Sequence, residues 1–202
     1  MKRICNILFT LLLMLLVCAC GASAGPDSVV KEFSEAAKKL DWEAMSKGVK
    51  NGNFDSSIME TEDEMTAQLI EFFKGEAKKI TYTIDKSSVD GDKGVVDVTY
   101  KFTDATPIVK ATMADYFMKA MDMAMGGASE EDLGKLFFDI FKEKAKAESL
   151  AQTEATIQFS CTKDNGKWII DSVPEEMTNV ITCNFAAATA QLDNFGESGT
   201  SD

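Results

Sequence analysis

The side chains of this chain that could do chemistry are mainly those that contain sulfur. The sequence has five cysteines and eleven methionines but no histidine. Histidine is the commonest general base and the commonest transition-metal ligand in proteins, so its absence argues against sites that depend on an imidazole. The candidates that remain are the cysteines, one cluster of methionines and the carboxylates.

The N-terminal cysteines follow a short apolar segment. Lys2 and Arg3 precede an apolar run that ends at Val17-Cys18-Ala19-Cys20. A basic start, a short apolar core and small residues at its end are typical of a secretory signal peptide. The run is too short for a transmembrane helix, which needs about 20 apolar residues.

The end of this run resembles the lipobox of bacterial lipoproteins, which has a branched apolar residue, a tolerant position, a small residue and then a cysteine. In that class a diacylglycerol is attached to the cysteine thiol and the peptide is cut before it. The resemblance implies that residues 1–19 are a lipoprotein signal peptide and that Cys20 is the lipidation site. The alternative is an ordinary signal peptide, cut near Ala22 or Ala24.

Two further cysteines, Cys161 and Cys183, lie near the C-terminus. If Cys20 carries a lipid, they form an even pair in an exported protein, where a disulfide is permitted. The alternative is two buried free thiols, which is a common fate of cysteine. The sequence leaves both open.

Five methionines crowd one predicted helix. They are Met113, Met118, Met121, Met123 and Met125. Three of them share a helical face close to Phe117, so the spacing favours ordinary packing in the core. Methionines also line adaptable binding surfaces, and thioethers bind Cu(I), so a ligand or partner groove and a copper site are the second and third alternatives.

The carboxylates give no recognisable site. Asp90 and Asp92 flank Gly91 in a turn cluster, which lacks the alternating ligands and the closing Glu of a calcium loop. No glycine-rich phosphate loop, no Cys-x-x-Cys pair and no serine nucleophile elbow is present. We therefore expect no metal, no cofactor and no enzymatic activity.

The charge balance restricts the partners. The chain has 21 basic and 33 acidic residues, a net charge of −12. Cleavage after residue 19 removes Lys2 and Arg3, so 19 basic residues remain and the net charge becomes −14. Such an acidic protein repels nucleic acids, which excludes them as partners.

The periodicity predicts the elements that must position any site. Helical spacing indicates three helices before residue 78, the first opening at Pro26 and the second capped by Asp41. Alternating residues then predict a hairpin around Asp90–Gly94 and a second one around the Asn165-Gly166 turn. Between the hairpins lie two helices, and a last helix is expected from Pro174 to Leu192.

The predicted order is ααα-ββ-αα-ββ-α, which favours an α+β fold with a four-stranded antiparallel sheet packed by helices. We expect a tether at 20–25, one domain at 26–192 and a disordered tail at 193–202. The order, the Asp41–Met45 step and the Asp164–Asp171 hairpin resemble the nuclear transport factor 2-like, or cystatin-like, cone fold. More narrowly, they resemble uncharacterised bacterial lipoproteins built on it.

That resemblance implies a concave sheet able to hold a ligand. Its lining would be Tyr82, Tyr100, Phe102, Ile157 and Phe159. The leading hypothesis is a non-enzymatic binding module for a small apolar ligand or a peptide, held by its lipid on the extracytoplasmic side of the cell membrane. The alternative is an accessory of a cell-envelope protein that docks through its helical face.

Overall fold

The computed structural model of the protein describes residues 25–52, 64–147 and 150–197. The predicted signal peptide and Cys20 lie outside the described residues, as do residues 198–202 of the predicted tail. Within the described ranges the chain forms seven helices and four strands. They are α1 (Pro26–Ala37), α2 (Trp42–Lys47), α3 (Glu64–Ala77), β1 (Thr81–Asp90), β2 (Lys93–Asp104), α4 (Thr106–Met125), α5 (Glu130–Ala147), β3 (Ala151–Asp164), β4 (Lys167–Ile170), α6 (Glu176–Ile181) and α7 (Phe185–Glu197).

The first two helices form where the sequence predicts them. Pro26 lies in the first turn of α1, where a missing N–H is tolerated because it would have no intrahelical partner. Leu40 adopts a left-handed φ of 49° and ends this segment. Asp41 then caps α2, since its carboxylate accepts a hydrogen bond from the Ala44 N–H at 3.0 Å.

The four strands form one antiparallel sheet in the order β1-β2-β3-β4, which confirms the predicted fold class. The β2–β3 ladder is the longest and runs from the Lys93–Thr162 pair to the Asp104–Ala151 pair. The β3–β4 turn has φ of 48° at Asn165 and 82° at Gly166, the geometry for which an Asn-Gly pair is favoured.

One face of the sheet forms the main core. Its buried side chains on β2 and β3 are Val96, Val98, Tyr100, Phe102, Ile157, Phe159 and Cys161. The helices α1 and α6 cover this face, with Phe33 of α1 edge-on to Phe159 at 5.6 Å between ring centroids. The opposite face is polar, and there Gln158 donates a hydrogen bond to Asp97 at 2.8 Å.

A second, smaller cluster lies between α4, α5 and α7. Its buried members are Ile108, Val109, Phe141 and Ala188. At the start of α5, Ser129 and Asp132 form a capping box, with each side chain bonded to the other residue's backbone N–H. The buried residues of both clusters fall between residues 29 and 188, so the chain from Gly25 onwards contains both.

The C-terminal segment differs from its prediction. Instead of one helix from Pro174 to Leu192, the chain forms α6 and α7 with a break between them. Cys183 and Asn184 have φ of 55° and 60°, a left-handed conformation that cannot continue an α-helix. The break is fixed to the end of β2, because Ala105 N–H donates to the Cys183 carbonyl at 2.8 Å and the Asn184 amide donates to Asp104 at 3.1 Å.

Candidate functional site

The pocket predicted on the concave sheet is wrong, because that face is filled. Tyr100 and Phe159 are fully buried, and Phe102 and Ile157 are 2% exposed. Tyr82 is half-buried at the edge of the same cluster. The reason is that α1 lies directly on the sheet and inserts Phe33 and its neighbours where a ligand would sit. The structure does bring the five predicted residues together, but they are part of the hydrophobic core and do not line a pocket.

The two tyrosines of this face have partners on α1. The hydroxyl of Tyr100 lies 2.6 Å from Ser34 Oγ, and the hydroxyl of Tyr82 donates to Glu35 Oε1 at 2.9 Å. Burial raises the pKa of Tyr100, and burial together with the Glu35 carboxylate raises the pKa of Tyr82 to about 12. Both phenols therefore stay protonated near neutral pH.

A groove of about 720 Å³ lies instead between α3 and α5. Its apolar wall consists of Ala67, Phe72, Phe138, Phe141, Ala145 and Leu150. The rings of Phe72 and Phe141 meet edge to face at 5.1 Å, which joins the two helices at the back of the groove. The volume lies within the range of small-molecule sites, which are mostly apolar with a few placed polar groups.

A buried carboxylate forms the floor of this groove. Glu76 is 7% exposed, accepts a hydrogen bond from the Thr103 hydroxyl at 2.7 Å and is paired with Lys79 at 2.6 Å. Thr103 lies opposite Gln152 in the β2–β3 ladder, so the floor is built on the end of the sheet. These two contacts fix the Glu76 carboxylate between α3 and β2.

The α5 edge of the groove is basic. Lys142 and Lys146 line it one turn apart, and Lys142 donates to the Gln68 amide oxygen at 3.1 Å across the groove. The chain as a whole is strongly acidic. This edge is therefore positively charged on a protein whose net charge is negative. Such an edge suits an acidic group of a ligand at the mouth of the apolar groove.

The sequence analysis did not identify Glu76 or the groove. Glu76 lies three residues after Phe73 and seven after Leu69, on the apolar stripe of α3. A charged residue within such a stripe is the signal that could have indicated a buried carboxylate.

Of the two alternatives that the sequence leaves open for Cys161 and Cys183, the structure has two buried free thiols. Cys161 pairs with Gly94 at one end of β2, whereas Cys183 is hydrogen-bonded to Ala105 just beyond the other end. At about 3.3 Å per residue these ends are roughly 30 Å or more apart along the strand, and a disulfide needs Cα atoms within about 7 Å.

The packing predicted for the methionines holds only for part of the cluster. Met113 packs against the second hydrophobic cluster, but Met118, Met121 and Met125 are exposed. These three methionines face outward because the opposite side of α4 already packs on α5 through Tyr116. Within the described ranges, no group of three or more Asp, Glu, Cys or His side chains is arranged to hold a metal ion.

No helix in the part of the chain that the structure describes is long and apolar enough to cross a membrane. Asp90 is the last residue of β1 and Asp92 lies in the β1–β2 turn, where Gly91 has a φ of 58°.

No protein-family model matches the chain, and no curated protein matches it. Among solved structures, the chain is similar to a putative lipoprotein (ycdA) from Bacillus subtilis, with 20% identity and a TM-score of 0.43 over 79% of this chain. The chain spans about half, 47%, of the length of that structure.

A second solved structure is a putative calcium/calmodulin dependent protein kinase II association domain from Xanthomonas campestris. It has 14% identity to this chain and a TM-score of 0.32, and the match covers 74% of this chain and 86% of that one.

Proposed function

We propose that this chain is a lipid-anchored, extracytoplasmic binding protein, and that it holds a small amphiphile in the groove between α3 and α5. The observation that carries the proposal is the combination of an apolar wall with a basic edge. The apolar body of the ligand would lie against Phe72, Phe138 and Leu150. Its acidic head group would meet Lys142 and Lys146.

The polar floor of the groove supports a binding role over a catalytic one. Glu76 already has Thr103 and Lys79 as partners, and these contacts hold its side chain in the floor of the groove. A general base must contact the substrate directly, and both carboxylate oxygens of Glu76 are already hydrogen-bonded, Oε1 to Lys79 and Oε2 to Thr103. The protein is thus proposed to bind without turnover.

The anchor on Cys20 and the groove would lie at opposite ends of the domain. The α1 helix begins next to Gly94 of β2. The two residues are so close that a Cβ atom at position 94 would lie 2.8 Å from the Pro26 ring. Thr103, in the groove floor, lies nine residues further along β2, about 30 Å at the rise of a strand. A tether of about five residues spans at most roughly 20 Å. The groove would therefore face away from the bilayer and take its ligand from the surrounding envelope.

The test is displacement of a fluorescent fatty acid from the chain beginning at Gly25, which contains both hydrophobic clusters. We expect saturable binding that Ala67→Trp weakens at least tenfold by filling the groove. Lys142→Glu should weaken it severalfold by reversing the charge of the edge. The matched control is Lys135→Glu, on the same helix but outside the groove lining, which should leave binding unchanged.

Two results would contradict this proposal. One is binding that Ala67→Trp leaves intact while circular dichroism shows a native fold. The other is the absence of saturable binding to any acidic amphiphile, with retention of an apolar peptide instead.

A further inference from the structure

The second half of α4 exposes an unusual amount of apolar surface. Phe117 is 62% exposed, Met118 69%, Met121 68% and Met125 84%. The small residues Ala114 and Ala124 are also exposed. Together these six residues, here called the methionine face, form a stripe along three turns of the helix at 3.6 residues per turn.

The methionine face is not explained by the packing of the domain. On its other side α4 contacts α5, where Tyr116 meets Phe137 edge to face at 5.7 Å and Asp115 pairs with Lys144 at 2.7 Å. A fully exposed large apolar side chain presents roughly 200 Å², so the four large residues expose about 550 Å², enough to mark an interaction site.

The pattern of the methionine face is self-complementary. Phe117 precedes Met121 by four residues and Met125 follows it by four, while Met118 precedes it by three and Ala124 follows it by three. When two such helices cross antiparallel at Met121, the two-fold axis keeps each residue on its own flank of the contact. Phe117 of one copy therefore lies beside Ala124 of the other, a large side chain against a small one, and Met118 lies beside Met125, with each contact occurring twice.

We propose that the methionine face is a homodimer interface, in which two copies of this chain pack their α4 helices antiparallel about a two-fold axis at Met121. Covering the four large side chains on both copies removes about 1,100 Å² from water, near the lower limit of about 1,000 Å² for specific interfaces. The dimer is accordingly expected to be weak and concentration-dependent. The proposal is independent of the ligand groove, whose walls are α3 and α5.

Sedimentation of the chain from Gly25 tests the interface. We expect a reversible monomer–dimer equilibrium that Met121→Glu weakens at least tenfold. Ala124→Glu should weaken self-association about threefold to tenfold, because residue 124 is a small member of the methionine face that the other copy covers. The control Lys135→Asp, on the neighbouring helix, should change nothing.

Cross-linking of the full chain in bacterial cells gives a second readout. Met121→Cys should yield a disulfide-linked dimer on a non-reducing gel, because residue 121 meets its own copy at the two-fold axis. The control Lys135→Cys should not. A sedimentation coefficient that stays monomeric at high protein concentration would overturn the proposal. So would cross-linking of residue 121 mainly to another protein, or insertion of the methionine face into lipid vesicles.

Discussion

The hydrogen bond between Ser34 and Tyr100 reports on whether the concave face of the sheet is dry. Ser34 Oγ lies 2.8 Å from the Val30 carbonyl, to which it donates its only hydrogen, and 2.6 Å from Tyr100 Oη. Tyr100 must therefore be the donor in the second contact. Both residues have no exposed surface. The two single substitutions are for that reason expected to have different costs.

The magnitudes follow from which atom loses its partner. Tyr100→Phe removes the donor and leaves Ser34 bonded to Val30, so it should lower the free energy of unfolding by about 1 kcal/mol. Ser34→Ala leaves a buried phenol without an acceptor, at a cost of about 2 kcal/mol, offset by about 0.5 kcal/mol because alanine favours the helix. In a Tyr100→Phe background this penalty disappears, and Ser34→Ala should cost almost nothing.

Urea denaturation of the four proteins of this double-mutant cycle measures the coupling between the two residues. The matched control is Ser46→Ala, which removes a similar hydroxyl bond to a helix carbonyl, that of Trp42, at 2.8 Å. Its cost should be the same with Tyr100 or Phe at position 100. If Ser34→Ala costs the same in both backgrounds, to within about 0.3 kcal/mol, Tyr100 has another partner such as water and the face is not filled.

The remaining predictions concern the anchor, the thiols and the phenols. Cys20→Ala should release the protein or leave its signal peptide uncut, with loss of acyl mass in mass spectrometry; a membrane-bound product without acyl groups would refute the anchor. Burial raises the pKa of Cys161 and Cys183 to about 12, so a thiol reagent should label them only after unfolding, and Cys161→Ser should not alter non-reducing mobility. The raised pKa of Tyr82, about 12 against 10.0 in the unfolded chain, means that its contribution to stability is complete below pH 10 and is lost between pH 10 and about 12. Tyrosinate absorbance of the folded protein should show this delay, and titration of every tyrosine near pH 10 would contradict it.

Local rules explain why much of the fold could be predicted from the sequence. The Asn165-Gly166 turn and the Asp41 cap depend on backbone preferences that a few neighbouring residues determine. The strands could be predicted because one face of each is buried and the other is polar, as Val96, Val98 and Asp97 illustrate.

The errors concern features that depend on contacts between distant segments. The break at Cys183 is fixed by hydrogen bonds to the end of β2, 80 residues away in the Asn184–Asp104 pair, so helical spacing could not indicate it. Alternation identified the inward side of the sheet correctly, but it could not show that α1 fills the space above that side. Spacing also grouped Met118, Met121 and Met125 on one face without indicating whether that face turns towards the core or towards solvent.

The position of the bound ligand tests the central claim most directly. Titration of the methyl-labelled chain from Gly25 with a fatty acid, followed by NMR, compares the groove with the concave face in one experiment. The proposal predicts saturable shifts at the methyl groups of Ala67, Ala145 and Leu150, while Val98 and Ile157 stay unchanged. Shifts centred on Val98 and Ile157, with none in the groove, would contradict it.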